Sequence, residues 1–271
     1  MELKPIAAPK RNSAVPVAAL QITGADATRY LQGQITQDLT RVAEGEGTLS
    51  ALPTVEGKLL TIVYLSHASP DSWIAFIPTP HLEAAIDRLK RFRLRVKVDF
   101  AVAWETSDSK HSIAISPWWP LGPGLVASDE LVDLESFTCS RLERGSFYLP
   151  TDGNSHLLVH AIPGLVPAAV SFTKGCYVGQ ELINRTDSRK APPPELLQIA
   201  DIDIDIDIDT PASAIGPEPL LLHGEDAGVV TAIAVGPGFA VAALRIKRRF
   251  AAENHFEFTV GAKLAVASVR R

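Results

Sequence analysis

Cysteine is nearly absent from this chain: Cys139 and Cys176 are the only two among 271 residues. So few thiols exclude a disulfide framework and leave too few ligands for a four-cysteine zinc or iron-sulfur site. No metal site is expected, and the compartment expected is reducing and cytoplasmic. Positive charge is also scarce, with 26 Lys and Arg against 31 Asp and Glu, a net charge of −5. A surface built wholly for nucleic acid is therefore excluded, although local basic patches remain open. The first residues reach no apolar stretch before Lys10-Arg11-Asn12, so no signal peptide is expected. The longest uncharged run, residues 227–244, is broken by Gly236-Pro237-Gly238; it reads as a hairpin of strands 229–235 and 239–244, and no membrane contact is expected.

What is present is mixed secondary structure with a change of character near residue 190. Asp26 stands where it can cap a helix whose apolar residues Ala27, Tyr30, Leu31 and Ile35 recur at helical spacing. Strands are expected at 59–65 and 73–77. Leu82, Ala85, Ile86, Leu89 and Phe92 then mark an amphipathic helix. Directly after it the period switches to two, with Leu94, Val96, Val98 and Phe100 facing one way and Arg93, Arg95, Lys97 and Asp99 the other. That alternation predicts a strand with a cationic face suited to a carboxylate-rich ligand tail or to RNA phosphates. Residues 116–124 are a loop by composition, and Arg189-Lys-Ala-Pro-Pro-Pro194 is a stiff connector. Beyond it only strand-like runs follow, at 196–209, 219–223, the hairpin, and 263–269. Segregated helices and strands give an α+β fold class. The domain boundary is placed at the 189–194 connector, and the part beyond it is expected to be a small β domain.

Two charged runs carry weaker signals. The alternation Asp201-Ile-Asp-Ile-Asp-Ile-Asp-Ile-Asp209 offers five carboxylates on one face, but a solvated strand accounts for it without calcium, since four buried Ile side chains return roughly 1.5–3 kcal/mol each. A second basic cluster lies at Arg245-Ile-Lys-Arg-Arg249.

The segment that carries chemistry is Lys174-Gly175-Cys176-Tyr177-Val178-Gly179-Gln180-Glu181, followed by Arg185. Gly175 and Gly179 permit a tight turn that presents a thiol or backbone amides to a ligand. Lys174 and Arg185 are expected to favour the thiolate of Cys176, the candidate reactive group. Read from composition alone, the same segment is more simply a glycine-bounded turn with a small buried thiol.

The motif K-G-C-Y-V-G-Q-E resembles the signature of the YgfZ family, folate-binding relatives of the glycine-cleavage T-protein, an aminomethyltransferase. Further blocks follow in the family's order: Gly24-Ala-Asp-Ala27 with Tyr30-Leu-Gln-Gly-Gln-Ile-Thr-Gln-Asp-Leu39, Gly57-Lys58, Leu94-Arg-Val-Lys-Val98, Arg141-Leu-Glu-Arg-Gly145 and Gly228-Val-Val-Thr231. The resemblance implies a T-protein-like folate-binding region at residues 1–190, with lobes of about 1–100 and 101–190, followed by a β-barrel at 195–271, with tetrahydrofolate as cofactor. It implies Phe137, Arg141, Lys174, Gly175, Tyr177, Gly179, Gln180, Glu181 and Arg185 as cofactor-binding residues. The implied role is assembly or maintenance of iron-sulfur enzymes, tRNA-modifying ones included, so folate and iron-sulfur proteins or their assembly machinery are the expected partners, with RNA contact as a further one. In aminomethyltransferases the strand after the Gly57 position carries an acidic pair, whereas Leu60 and Thr61 stand here, so authentic aminomethyl transfer is not expected. Two other functions compete: a tetrahydrofolate-dependent aminomethyl or methyl transferase, and a non-catalytic RNA or protein binding module.

Overall fold

The computed structural model describes residues 17–105, 134–143, 145–190, 192–203, 217–236, 239–260 and 263–270. The loop read at 116–124, the later part of the Asp-Ile run and the Pro237-Gly238 turn fall outside these residues.

Five antiparallel strands open the chain: β1 (Val17–Thr23), β2 (Gly47–Pro53), β3 (Leu59–Ser69), β4 (Ser72–Pro78) and β5 (Asp99–Glu105), in the order β2-β3-β4-β1-β5. Helices α1 (Ala27–Gln32) and α2 (Thr79–Lys90) belong to this lobe. One core joins Leu20, Ile22, Tyr30, Leu31, Trp73, Ile77, Leu82 and Leu89 between the helices and the sheet. A second core takes Leu49, Ala51, Leu59 and Ile62 of the same sheet against residues 142–183. Strand β1 lies inside the sheet between β4 and β5 and is apolar and buried along most of its length, with Ala18, Leu20 and Ile22 in the first core, so the clean alternation of a half-solvated strand is missing.

Four helices follow: α3 (Leu134–Glu143), α4 (Leu149–Asp152), α5 (Leu165–Ala169) and α6 (Gln180–Ser188). The chain then forms a closed six-stranded barrel from β6 (Glu195–Asp203), β7 (Glu218–Leu222), β8 (Glu225–Gly236), β9 (Phe239–Lys247), β10 (His255–Val260) and β11 (Lys263–Val269). Its interior is filled by Leu220, Val230, Ile233, Leu244, Ile246, Phe256 and Phe258 with small alanines between them. The expected α+β class and terminal barrel are present, and β8 and β9 form the hairpin read from residues 229–244, begun four residues earlier. A bulge in β8 between Val230 and Ala232 interrupts the alternation.

Three local readings are corrected. Residues 94–98 are not a strand: β5 starts only at Asp99, and Arg95 takes a left-handed φ of 57°. Arg93, Arg95 and Lys97 therefore do not share a strand face. The cause is tertiary, because Gly24 (φ 128°) packs so closely on the Lys97 carbonyl that no Cβ would fit there. Asp26 precedes α1 but makes no side-chain cap; its carboxylate accepts instead from the Lys97 amide at 2.8 Å and pairs with Arg29 at 2.9 Å. Helix α1 also ends at Gln32. Ile35 is still buried, since the chain after α1 is tied to Ala51 and Ala169 through Thr36.

Candidate functional site

The turn between β2 and β3, residues 54–58, and the start of α6 are locked together through backbone. Gly57 has φ 85° and Gly179 has φ 84°. A Cβ on Gly179 would lie 2.5 Å from the Thr54 carbonyl oxygen and 3.0 Å from the Gly57 Cα, and one on Gly57 would strike the Gly179 carbonyl and Leu182. Both positions therefore require glycine twice over, for conformation and for space. The Val178 amide donates to the Gly33 carbonyl at 3.0 Å, and the Ser171 amide to Thr36 at 3.0 Å, which fastens the two ends of the 171–178 loop to the segment after α1.

This frame leaves Cys176 exposed. It lies in an open cavity of about 510 Å³ lined by Val55, Glu56, Tyr177, Gln180, Glu181 and Arg185, among others. Gln180 bridges the loop: its carbonyl accepts from the Tyr177 amide at 2.8 Å, while its Nε2 lies 3.8 Å from the Cys176 Sγ. Tyr177 is buried, its hydroxyl has no hydrogen-bond partner among the described residues, and burial pushes its phenol up to about 12. Gly175 has open space around its Cα, so its role differs from that of Gly179.

Of the residues singled out from the sequence, Cys176, Tyr177, Gly179, Gln180, Glu181 and Arg185 thus come together around one cavity. Lys174 is used differently. Its ammonium donates to the Ile35 and Gln37 carbonyls at 2.8 and 2.7 Å and sits 5.2 Å from the centre of the Tyr177 ring. Burial lowers its pKa to about 8, against a smaller opposing pull from Asp38. Lys174 pins the loop to the segment after α1. The cation expected to act on the thiol is thus spent on those two carbonyls.

Arg141 is also elsewhere, in a buried knot with Asp152. Its guanidinium pairs with Asp152 at 2.7 Å and donates to the Ser146 carbonyl at 3.3 Å. Asp152 accepts further bonds from the Tyr148 amide at 2.7 Å and the Thr231 hydroxyl at 2.9 Å. Thr231 sits at the β8 bulge, so the irregularity aims a barrel side chain at the helical region. The Arg141–Gly145 and Gly228–Thr231 blocks are therefore two halves of one structural junction. Phe137 lies on α3, with its side chain outside the described residues.

A second cavity, of about 330 Å³, has apolar walls from Leu59, Leu60, Leu149, Pro150 and Leu157 and polar groups from Thr54, His81, Asn154 and Ser155. The His81 Nδ1 lies 3.1 Å from the Thr61 hydroxyl, and burial lowers the imidazole pKa, which favours the neutral ring. None of these polar residues was singled out from the sequence. Only Leu60 and Thr61 were, as places lacking a carboxylate, and His81 is masked in sequence by its position at the start of an amphipathic helix. Thr54 touches this cavity, and Val55 and Glu56 the Cys176 cavity, so the two lie on either side of one turn. Among the described residues no group of three His, Cys, Asp or Glu is placed to hold a metal, and no helix is long and apolar enough to cross a membrane.

The sheet, the helices and the closing barrel together define the T-protein fold. The structure superposes on glycine cleavage system aminomethyltransferase T from Bartonella henselae with a TM-score of 0.72, covering 93% of this chain and 82% of that one at 13% identity. In sequence the chain is similar to the tRNA-modifying protein YgfZ of Aliivibrio fischeri, 26% identical over 210 residues, with 64% of this chain and 65% of YgfZ covered. It is likewise 28% identical over 205 residues to a mitochondrial iron-sulfur cluster assembly factor IBA57 homolog of Pyricularia oryzae, with 63% of this chain and 52% of that protein covered. The match thus spans just under two thirds of the bacterial relative and about half of the fungal one. No protein-family model matches the chain.

Proposed function

We propose that this protein is a folate-binding accessory factor for the assembly or maintenance of iron-sulfur enzymes, with Cys176 as its working thiol. The observation that carries this reading is the exposure of Cys176 in a cavity whose backbone frame excludes any side chain at Gly57 and Gly179. A cysteine kept only for packing is ordinarily buried. The named relatives, one a tRNA-modifying protein and one an iron-sulfur assembly factor, supply the biological class. Two cysteines are too few for a cluster scaffold, so the protein acts on its iron-sulfur clients without housing their clusters. A reducing cytoplasm keeps such a thiol available.

Tetrahydrofolate is assigned to the cavity between β3 and the α4 region. At about 330 Å³ it lies at the small end for ligand sites, a size that suits the bicyclic pterin head with the remainder of the cofactor outside. Leu59, Leu60, Leu149 and Leu157 offer flat apolar walls, while His81, Asn154 and Ser155 offer the donors and acceptors that the pterin edge needs. When bound, the cofactor supplies one-carbon or reducing chemistry. The protein's own residues bind and orient it, and the neutral His81 ring accepts or donates a hydrogen bond without adding charge. With no carboxylate at Leu60 or Thr61, aminomethyl transfer loses the general base that proton movement requires, a loss of roughly 10²–10⁴ in rate.

Titration calorimetry with tetrahydrofolate on the whole protein tests the cofactor: heat of binding and a raised Tm are expected, and neither at millimolar ligand removes folate from the account. The accessory role is tested in cells lacking the gene. Iron-sulfur enzyme activity is expected to return with the wild-type gene and to stay low with Cys176→Ala, and equal rescue by both would discard the thiol.

A further inference from the structure

The two basic clusters of the chain look alike in sequence and are opposite in structure. In the cluster at 245–249, Arg245 lies 3.6 Å from Glu195, Lys247 lies 2.6 Å from Asp226 and Arg249 lies 3.6 Å from Glu225. Three of its four cations are answered by carboxylates of the barrel. Between residues 90 and 99 there are five cations, Lys90, Arg91, Arg93, Arg95 and Lys97, and one carboxylate, Asp99. Among the described residues only Arg93 of these five reaches a carboxylate, that of Asp99 at 3.2 Å.

The backbone of this turn is fixed without help from most of its side chains. Asp26 accepts from the Lys97 amide and donates its own amide to the Lys97 carbonyl at 3.3 Å, while Arg93 caps the Val98 carbonyl at 3.0 Å. The Lys97 amide and Arg29 hold the Asp26 carboxyl below its ordinary range, so the clamp stays ionised. Arg91, Leu94, Arg95 and Lys97 are all exposed, Leu94 by 79%. Arg95 occupies the left-handed region, which glycine enters without strain. The fold draws little burial from Leu94 and, among the described residues, no ion pair from Arg91, Arg95 or Lys97, and it tolerates strain at Arg95.

We propose that the Arg91–Lys97 turn is an RNA-binding surface that contacts phosphates through Arg91, Arg95 and Lys97, with Leu94 packing on a ribose or base face. Several unpaired cations on a pre-fixed turn match a partner whose negative charges recur along its length, and guanidinium forks match phosphate oxygens in particular. The chain as a whole carries a net charge of −5, this turn included, so the remainder is more acidic still and the contact is confined to this turn. The proposal stands apart from the folate and thiol reading above and does not depend on it.

The test is fluorescence anisotropy of labelled unfractionated tRNA with the full chain at 50 and 200 mM KCl. Wild type is expected to bind, more weakly at the higher salt. The triple variant Arg91→Gln, Arg95→Gln, Lys97→Gln should bind at least about tenfold more weakly at 50 mM, with a salt slope smaller by about one for each cation removed. Lys247→Gln with Arg249→Gln should bind as wild type does. Arg95→Gly separates binding from folding, since it removes a cation while relieving strain: Tm should hold or rise while affinity falls. No binding at 50 mM KCl, equal losses in the two multiple variants, or competition by polyglutamate as strong as by unlabelled tRNA would overturn the proposal, the last in favour of an acidic protein partner.

Discussion

The Arg141–Asp152 junction and the Cys176 loop are both short, glycine-containing and dense in charged residues, yet they spend their polar groups in opposite ways. In the junction every oxygen of Asp152 is answered: Arg141, Tyr148 and Thr231 donate to it inside a region where Asp152 is fully buried. In the loop the backbone and Lys174 supply the fixing, and the thiol of Cys176, Glu181 and Arg185 are left to solvent. Charge density in a sequence therefore does not mark a binding site. What marks one is a frame rigid enough to hold its side chains without consuming them.

The comparison is most easily broken at Asp152. Replacing it with Ala leaves the Arg141 guanidinium buried without its counter-ion, and a loss of about 3–5 kcal/mol is expected; urea unfolding that shows less than 1 kcal/mol would mean the junction is not structural. Gly179→Ala comes next, because its Cβ meets the Thr54 carbonyl at 2.5 Å in a left-handed conformation. A cost of about 1–3 kcal/mol is expected. Gly175→Ala, in open space, should stay within about 0.5 kcal/mol. Matching effects at the two glycines would dissolve the distinction drawn between them.

Lys174 sharpens the comparison through pH. Its pKa is lowered to about 8 in the fold, from an ordinary value of 10.5, so the unfolded chain binds the extra proton between those values and stability rises with pH there. The penalty on the charged amine is fully present below about pH 8 and is relieved towards pH 10.5. Unfolding midpoints of wild type relative to Lys174→Met should therefore climb from pH 7 to pH 10, and a flat difference would mean that the amine is not desolvated. The smallest expected effect is on stability at the thiol: Cys176→Ala should change it by less than about 0.5 kcal/mol. In the same protein, limiting alkylation followed by mass spectrometry should label Cys176 ahead of the half-buried Cys139, and equal rates would return Cys176 to the role of a packing residue.

Much of this architecture was legible in the sequence because it rests on periodicity. The amphipathic stretch from Leu82 gave α2, and the strand-like runs after residue 195 gave a β domain, since burial on one side imposes spacing that survives in the chain; its closure into a barrel was implied by the family resemblance alone. The strand read at 94–100 failed for a reason periodicity cannot register: alternation persists there by coincidence, while Gly24, seventy residues earlier, dictates the path. The site divided in the same way. The residues around Cys176 were found because they are contiguous, but the grip of Gly57 on Gly179, the knot of Arg141 with Asp152, and His81 beside Thr61 each join positions distant in the chain. Nothing local in their neighbours announces the pairing.

The meeting of Gly57 with Gly179 works like a dovetail cut in wood, where two bare surfaces fix the joint and everything fastened beside it is open to exchange. Val55 and Glu56 flank the joint and face the cavity, and neither of them carries the fit. Descendants of this chain can therefore trade those neighbours one at a time, retuning what the cavity accepts, while the carpentry that presents the sulfur stays as it was.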